Sequence, residues 1–309
     1  MTIWRLMKIL ESVFWLNSHN AQETIAQNTF PVMFQQIKFK YIFAFIMKSM
    51  LYHKIYTNEA SDEWVVFIHG AGGSSTVWFR QIQSYAKHFN LLLVDLHGHG
   101  KSSAGQQSHN FRYSFDNIAL DILQVLEHRK IKQAHFVGVS LGTIIVRKLG
   151  EIGKEYVKSM ILVGAITKLN LKSRFLVRLG SVFQPIIPFM WLYKVMAFII
   201  MPLDQHEESR SIFINEARKL ARHEFIRWFR LTRKLTDKLS KMEAEDSGIP
   251  TLYVMGEQDY ILLEPVRELV KKYKNRTLKV VEKCGHVVNI EKAEEFNELS
   301  IDYIKQLAS

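Results

Sequence analysis

From Trp64 onward, short apolar runs alternate with longer amphipathic stretches. Trp64-Val65-Val66-Phe67-Ile68 and Asn90-Leu91-Leu92-Leu93-Val94 are apolar without a polar face. Such runs fit strands buried on both sides better than half-exposed ones. Ala134 to Val137, Ser159 to Val163, Ile249 to Met255 and Leu278 to Val281 repeat the form. Helical patterns lie between them. Ser114 suits the cap of a helix running to about Arg129. A second follows Gly142, a third begins near Glu264, and the last spans Lys292 to Leu307. The rhythm predicts an α/β fold, a mostly parallel sheet with crossover helices.

The alternation stops between Ile166 and Ser247, where the chain reads as several helices, and it resumes at Ile249. An insertion between two strands of one sheet is more economical than a separate domain. It would lie over the carboxyl ends of the strands, where open α/β sheets place their sites. The expected division is a helical extension over 1–36, a first core part over 37–165, a helical cap over 166–247 and a second core part over 248–309. Residues Lys38 to Tyr56 can supply leading antiparallel strands.

Two apolar stretches raise the question of a membrane. Ile3 to Leu16 is interrupted by Arg5, Lys8 and Glu11, and is too short and too charged to span. No small-residue cleavage site follows it, so a secretory signal is not expected. As a helix it carries one apolar face, which either packs on the core or lies at a membrane surface, and packing is the preferred reading. Val182 to Met201 contains Pro185, Pro188 and Lys194, and is expected to be buried or to line a pocket.

Composition is that of an ordinary globular protein, with 309 residues, 48% hydrophobic and 23% charged. A single cysteine, Cys284, excludes an intramolecular disulfide and any cysteine-built metal cluster, and fits a reducing compartment. The net charge is +11, and residues Ile166 to Asp246 hold 15 basic against 9 acidic residues. No motif selects nucleic acid, so the excess reads as a solvated face. A cytoplasmic location is expected, with peripheral membrane contact through the N-terminal helix as the variant; the oligomeric state is left open.

The chemistry centres on Gly138-Val139-Ser140-Leu141-Gly142, between a strand and a helix. A serine on so sharp a turn needs small residues two positions either side, and the helix that follows turns its N-terminal amides toward developing negative charge. The hydroxyl needs a base oriented by an acid. His286, just past the last strand, and Asp259, just past the one before, arrive at the same sheet edge as Ser140, in the order Ser, Asp, His. Glu257 is the rival acid. The oxyanion donors are expected to be the N–H groups of Leu141 and of Ala71, in His69-Gly70-Ala71-Gly72-Gly73. That loop lacks the Gly-Lys-Ser/Thr ending of a phosphate loop. Asp95, His97 and His99 read as braces of a tight turn, because nothing completes a metal ligand set. No cofactor and no metal is expected.

With Asp95-Leu96-His97-Gly98-His99-Gly100-Lys101-Ser102 and Gly256-Glu257-Gln258-Asp259, these pieces resemble the α/β-hydrolase family, specifically its lid-bearing esterases, lipases and related hydrolases. The resemblance runs from about Trp64 to the C-terminus, with a gap across the insertion. It implies the α/β-hydrolase fold, a structural role for the Asp95 to Ser102 segment, and a substrate-side aromatic at Trp78. Thr143 stands where many relatives have a further glycine, so the helix is expected to pack more widely there. The leader before Trp64 exceeds the usual length.

The reading is acyl transfer, with Phe189 and Trp191 joining Trp78 in the pocket and a small to medium apolar ester as substrate. Specificity should rise over the first several acyl carbons and then level off. A carbon–carbon bond hydrolase using the same triad is the alternative, and a non-catalytic binding protein of the same fold is the alternative of another kind. A dehalogenase is disfavoured, since serine stands where that reaction needs a carboxylate.

Overall fold

The computed structural model describes residues 50–103, 112–168, 186–233 and 246–308, with isolated positions between 175 and 183 and at 239. The 1–36 extension, the helix expected from Ile3 to Leu16 and most of the Lys38 to Tyr56 leader lie outside them.

Among the described residues seven strands form one sheet: β1 (His53–Tyr56), β2 (Trp64–Ile68), β3 (Asn90–Val94), β4 (Ala134–Val139), β5 (Val157–Val163), β6 (Thr251–Gly256) and β7 (Arg276–Val281). Their order is β1-β3-β2-β4-β5-β6-β7. Only β1 is antiparallel, paired with β3, and it is the described part of the expected antiparallel leader. The central strands bury both faces, which is why their sequences show no alternation. Val66, Ile68, Leu92 and Phe136 pack on one side, with α2 (Phe115–His128) and α3 (Leu141–Ile152). Val65, Phe67, Leu93 and Val137 pack on the other, with α1 (Phe79–Ala86) and the C-terminal helix, whose Phe296 and Ile304 are fully buried. Ser114 does cap α2, its Oγ accepting from Asn117 N–H at 3.0 Å.

Strand register decides where the site lies. Ile68 pairs with Gly138, Val139 with Val163, and Val163 with Val254. The loops after β2, β4, β5 and β6 therefore leave the sheet at one carboxyl edge, and β7 runs parallel to β6.

Between β5 and β6 the described residues contain helices and no strand: α4 (Phe189–Ile200), α5 (Glu207–Ala217) and α6 (Arg222–Arg233). Tyr193, Ala217, Leu220 and Phe225 form a small core of their own. Trp228 Nε1–H donates to the His97 carbonyl at 2.9 Å and ties α6 to the loop after β3. Arg218, Lys219, Arg222 and Arg230 face solvent, as expected of the basic part. The apolar part departs from expectation. Of α4 only Tyr193 and Ala197 are buried, and much of the rest faces outward. After β6 come α7 (Leu263–Val270), the single turn α8 (Val288–Glu291) and α9 (Ala293–Ala308).

Candidate active site

Ser140 joins β4 to α3 with φ 53° and ψ −118°, a backbone that L-residues seldom adopt. Tight packing holds it there. A Cβ on Gly142 would lie 2.3 Å from the Ile68 carbonyl oxygen, and one on Gly138 would lie 2.8 Å from the Gly142 backbone. The Ser140 N–H donates to the Val163 carbonyl at 2.9 Å. Thr143, which the sequence marked only as a departure, braces the turn. Its hydroxyl donates to the Ser140 carbonyl at 2.6 Å and accepts from Ile166 N–H at 3.2 Å.

His286 and Asp259 are both buried, and His286 Nδ1–H donates to Asp259 Oδ2 at 2.7 Å. The other oxygen of Asp259 accepts from Leu262 N–H at 3.1 Å. Among the described residues Nε2 of His286 has no protein partner, so it is the nitrogen left to meet a hydroxyl. Gly164, at φ +53° after β5, makes room for the ring, since a Cβ there would lie 2.9 Å from His286 Cε1. The rival acid, Glu257, instead accepts from Lys283 N–H at 3.0 Å.

Ser140 and His286 line one cavity of about 30 Å³, closed by Gly70, Ala71, Val77, Ile212, Phe213 and Ile290. That volume holds one water-sized group. The loop after β2 lies against the serine, as a Cβ on Gly70 would be 3.2 Å from Ser140 Cβ. Among the described residues, the N–H groups of Ala71 and Leu141 donate to no protein acceptor. A larger recess of about 270 Å³ sits at the amino ends of β6 and β7, between Arg147, Lys154 and Arg276, and touches none of these groups.

The three aromatics expected in the pocket do not line this cavity. Trp78 is fully buried against Phe67, at 4.9 Å between rings, because the short turn Ser75–Trp78 points it into the core and leaves Val77 at the cavity. Phe189 packs on Phe225 inside the cap, at 5.3 Å. Trp191 is 63% exposed. The cap reaches the site through α5 instead, with Ile212, Phe213 and Glu216. Nothing in the sequence singles these out, because the apolar residues of α5 are few and the helix is mixed in character.

Buried polar groups hold the rim. His69 Nδ1–H donates to the Gly70 carbonyl at 2.7 Å, while its Nε2 accepts from Leu96 N–H at 3.0 Å. His99 Nε2 accepts from Gly72 N–H at 3.0 Å. An accepting nitrogen requires neutral imidazole. Burial supplies it, lowering His69 and pushing His99 down to about 3. Asp95 accepts from Ser75 N–H at 2.6 Å and from Lys101 N–H at 2.9 Å. Among the described residues no cluster of three His, Cys, Asp or Glu side chains is arranged to hold a metal ion.

A further carboxylate steadies the histidine loop. Glu291 Oε2 accepts from Gly285 N–H at 2.7 Å, and its Oε1 accepts from the hydroxyl of Ser209 in the cap at 2.8 Å. Its position five residues beyond His286 was the only signal in the sequence.

The family model described as "alpha/beta hydrolase fold" matches residues 63–197, from β2 through the elbow and into the cap. The chain has the α/β-hydrolase fold. The chain is 24% identical over 275 residues to a protein of Acinetobacter baylyi named "Putative carbamate hydrolase RutD", covering 84% of this chain and 99% of that one. Among solved structures it resembles an esterase from Exiguobacterium antarcticum, with TM-score 0.69 and 20% identity over 82% of this chain and 95% of that one. It also resembles an enol-lactonase from Burkholderia xenovorans, with TM-score 0.68 and 18% identity over 82% and 96% of the two chains. At such identities these structures speak for the α/β-hydrolase fold alone.

Proposed function

We propose that the protein is a serine hydrolase that cleaves carboxylic esters through an acyl-enzyme on Ser140. The observation that carries this reading is a serine on a strained strand-to-helix turn, sharing one cavity with a histidine whose far nitrogen is bonded to a buried carboxylate. In this reading His286 Nε2 takes the Ser140 proton as Oγ attacks the carbonyl. Asp259 fixes the tautomer and offsets the imidazolium charge. The N–H groups of Ala71 and Leu141 stabilise the oxyanion, and a removed donor of this kind costs about 2.7–4 kcal/mol of barrier elsewhere. The imidazolium then protonates the leaving alcohol, and water repeats the sequence to free the serine. No step calls for a cofactor.

The substrate side is apolar where Val77, Val139, Ile212, Phe213, Val287 and Ile290 close the cavity, and this favours an alkyl acyl group. The small free volume favours a short one, with longer chains admitted when α5 gives way. Hydrolysis of aryl esters of two to twelve acyl carbons tests the reading. Burst release of the alcohol, one per active site, is expected; the absence of turnover on every ester would refute it.

A carbamate is the second reading, favoured by the full-length likeness to the Acinetobacter baylyi protein and by Glu216 in the cavity wall, where a carboxylate can accept from a substrate N–H. A matched ester and carbamate pair decides between them through kcat/KM.

A further inference from the structure

Helix α4 turns its apolar side the wrong way for a soluble cap. Tyr193 and Ala197 face inward. Trp191, Val195 and Phe198, at the i, i+4 and i+7 positions of one stripe, are 63%, 54% and 53% exposed. Two residues ahead of Pro188, Ile186 is 79% exposed, and Phe175 earlier in the cap is 63% exposed. A concentration of large apolar side chains of this kind on one segment marks a surface that meets something else.

Charge says what it meets. From Gly164 to Leu203 the sequence contains no Asp or Glu, and five bases: Lys168, Lys172, Arg174, Arg178 and Lys194. Lys194 lies 5.5 Å from the Trp191 ring, so a cation stands beside the stripe. The whole chain carries +11. An apolar stripe with tryptophan and flanking lysine, on a segment without a carboxylate, complements an anionic bilayer surface, where acyl boundary and phosphate headgroups lie a few ångströms apart. Twelve residues make a helix of about 18 Å, short of the roughly 30 Å hydrocarbon core. No helix among the described residues is long and apolar enough to cross a membrane. The helix can therefore lie along the surface but cannot span it.

We infer that the outer face of the cap, centred on Trp191, Val195 and Phe198, docks the protein on the surface of a bilayer rich in anionic phospholipid. The inference is independent of the reaction at Ser140. It differs from the membrane contact that the sequence suggested for the N-terminal helix.

The test is flotation of the full chain with vesicles of phosphatidylglycerol and phosphatidylcholine, against vesicles of phosphatidylcholine alone. The protein is expected to float with the anionic vesicles, and to lose most of that binding when salt rises to about 0.5 M. The double variant Trp191→Ser/Phe198→Ser should bind about tenfold more weakly, with its thermal midpoint serving as the check on folding. Lys194→Glu, which leaves the apolar stripe intact, should weaken binding to anionic vesicles alone. Failure of the wild-type chain to float overturns the inference. So does binding unchanged in both cap variants but lost in Trp4→Ser/Phe14→Ser, which would assign the contact to the N-terminal segment. Self-association abolished by the double variant, without vesicle binding, would make the partner a second copy of the chain and equally overturn it.

Discussion

The phenol of Tyr193, in α4, donates to the carbonyl of Ala71, in the loop beside the elbow, at 2.6 Å. Burial, reinforced by Glu216, raises the phenol well above its ordinary pKa, so it stays a donor. The bond spans 122 residues and fixes the peptide whose neighbour supplies the Ala71 N–H. Tyr193→Phe leaves the ring stacked on Phe213, at 4.5 Å, and removes only this donor. It is expected to lower stability by about 1–3 kcal/mol, because the carbonyl is left unsatisfied. It should also lower kcat about tenfold with little change in KM, as loss of loop order acts on the transition state. Denaturant titration and steady-state kinetics check both.

Glu291 is expected to position His286 without touching substrate. Glu291→Ala removes the acceptors of Gly285 N–H and Ser209 Oγ together. It should lower kcat about ten- to a hundredfold and leave KM near its wild-type value. Glu291→Gln keeps one acceptor oxygen and should recover part of the loss. Equal losses in KM and kcat would speak against positioning.

Phe213 lines the cavity beside Ser140, and in the proposed reaction it is expected to set the length limit of the acyl group. Wild-type kcat/KM should be highest on acyl groups of two to four carbons, because little free volume lies beside Ser140. Phe213→Ala should move the optimum to longer chains, each added methylene contributing about 0.8 kcal/mol, a factor near four. An acyl-chain series on both proteins measures it, and identical profiles would remove Phe213 from the site.

Stability should fall on mild acidification. His99 is neutral in the fold down to about 3, whereas the unfolded chain protonates it near 6.5. The unfolded state therefore binds more protons below 6.5, and the contribution of His99 is lost as pH falls from that value toward 3. His69 acts in the same direction. Each group adds a slope of up to about 1.4 kcal/mol per pH unit. His99→Gln keeps an acceptor for Gly72 N–H and should flatten the curve between about pH 6 and 4 by that amount; an unchanged slope would show that His99 does not stay neutral.

Much of this was legible in the sequence for identifiable reasons. Strands β2, β3 and β4 are buried on both faces, so their apolar runs are unbroken and their ends easy to find. Ser140, Asp259 and His286 follow from strand ends and chain order, and the fold brings all three to one edge. The cap was legible only as an interruption. Apolar density singled out Phe189 and Trp191, but density does not say which way a helix faces, and α4 turns much of its apolar surface to solvent. The side that meets Ser140 belongs to α5, where Ile212, Phe213 and Ile214 form a short apolar run in an otherwise polar helix. Trp78 failed for a local reason, one short turn that exchanges its place with Val77. The Tyr193–Ala71 and Glu291–Gly285 bonds join distant or unremarked positions, and no periodicity announces them.

The proposed reaction depends on Ser140 as an activated nucleophile, and covalent labelling tests that most directly. A fluorophosphonate should react with one residue per chain, the adduct should map by peptide mass spectrometry to Ser140, and labelling should vanish in Ser140→Ala while the thermal midpoint is kept. His286→Ala should slow the reaction by at least about a hundredfold, as loss of a general base does. Undiminished labelling of Ser140→Ala, or an adduct mapped to any other residue, would contradict the account.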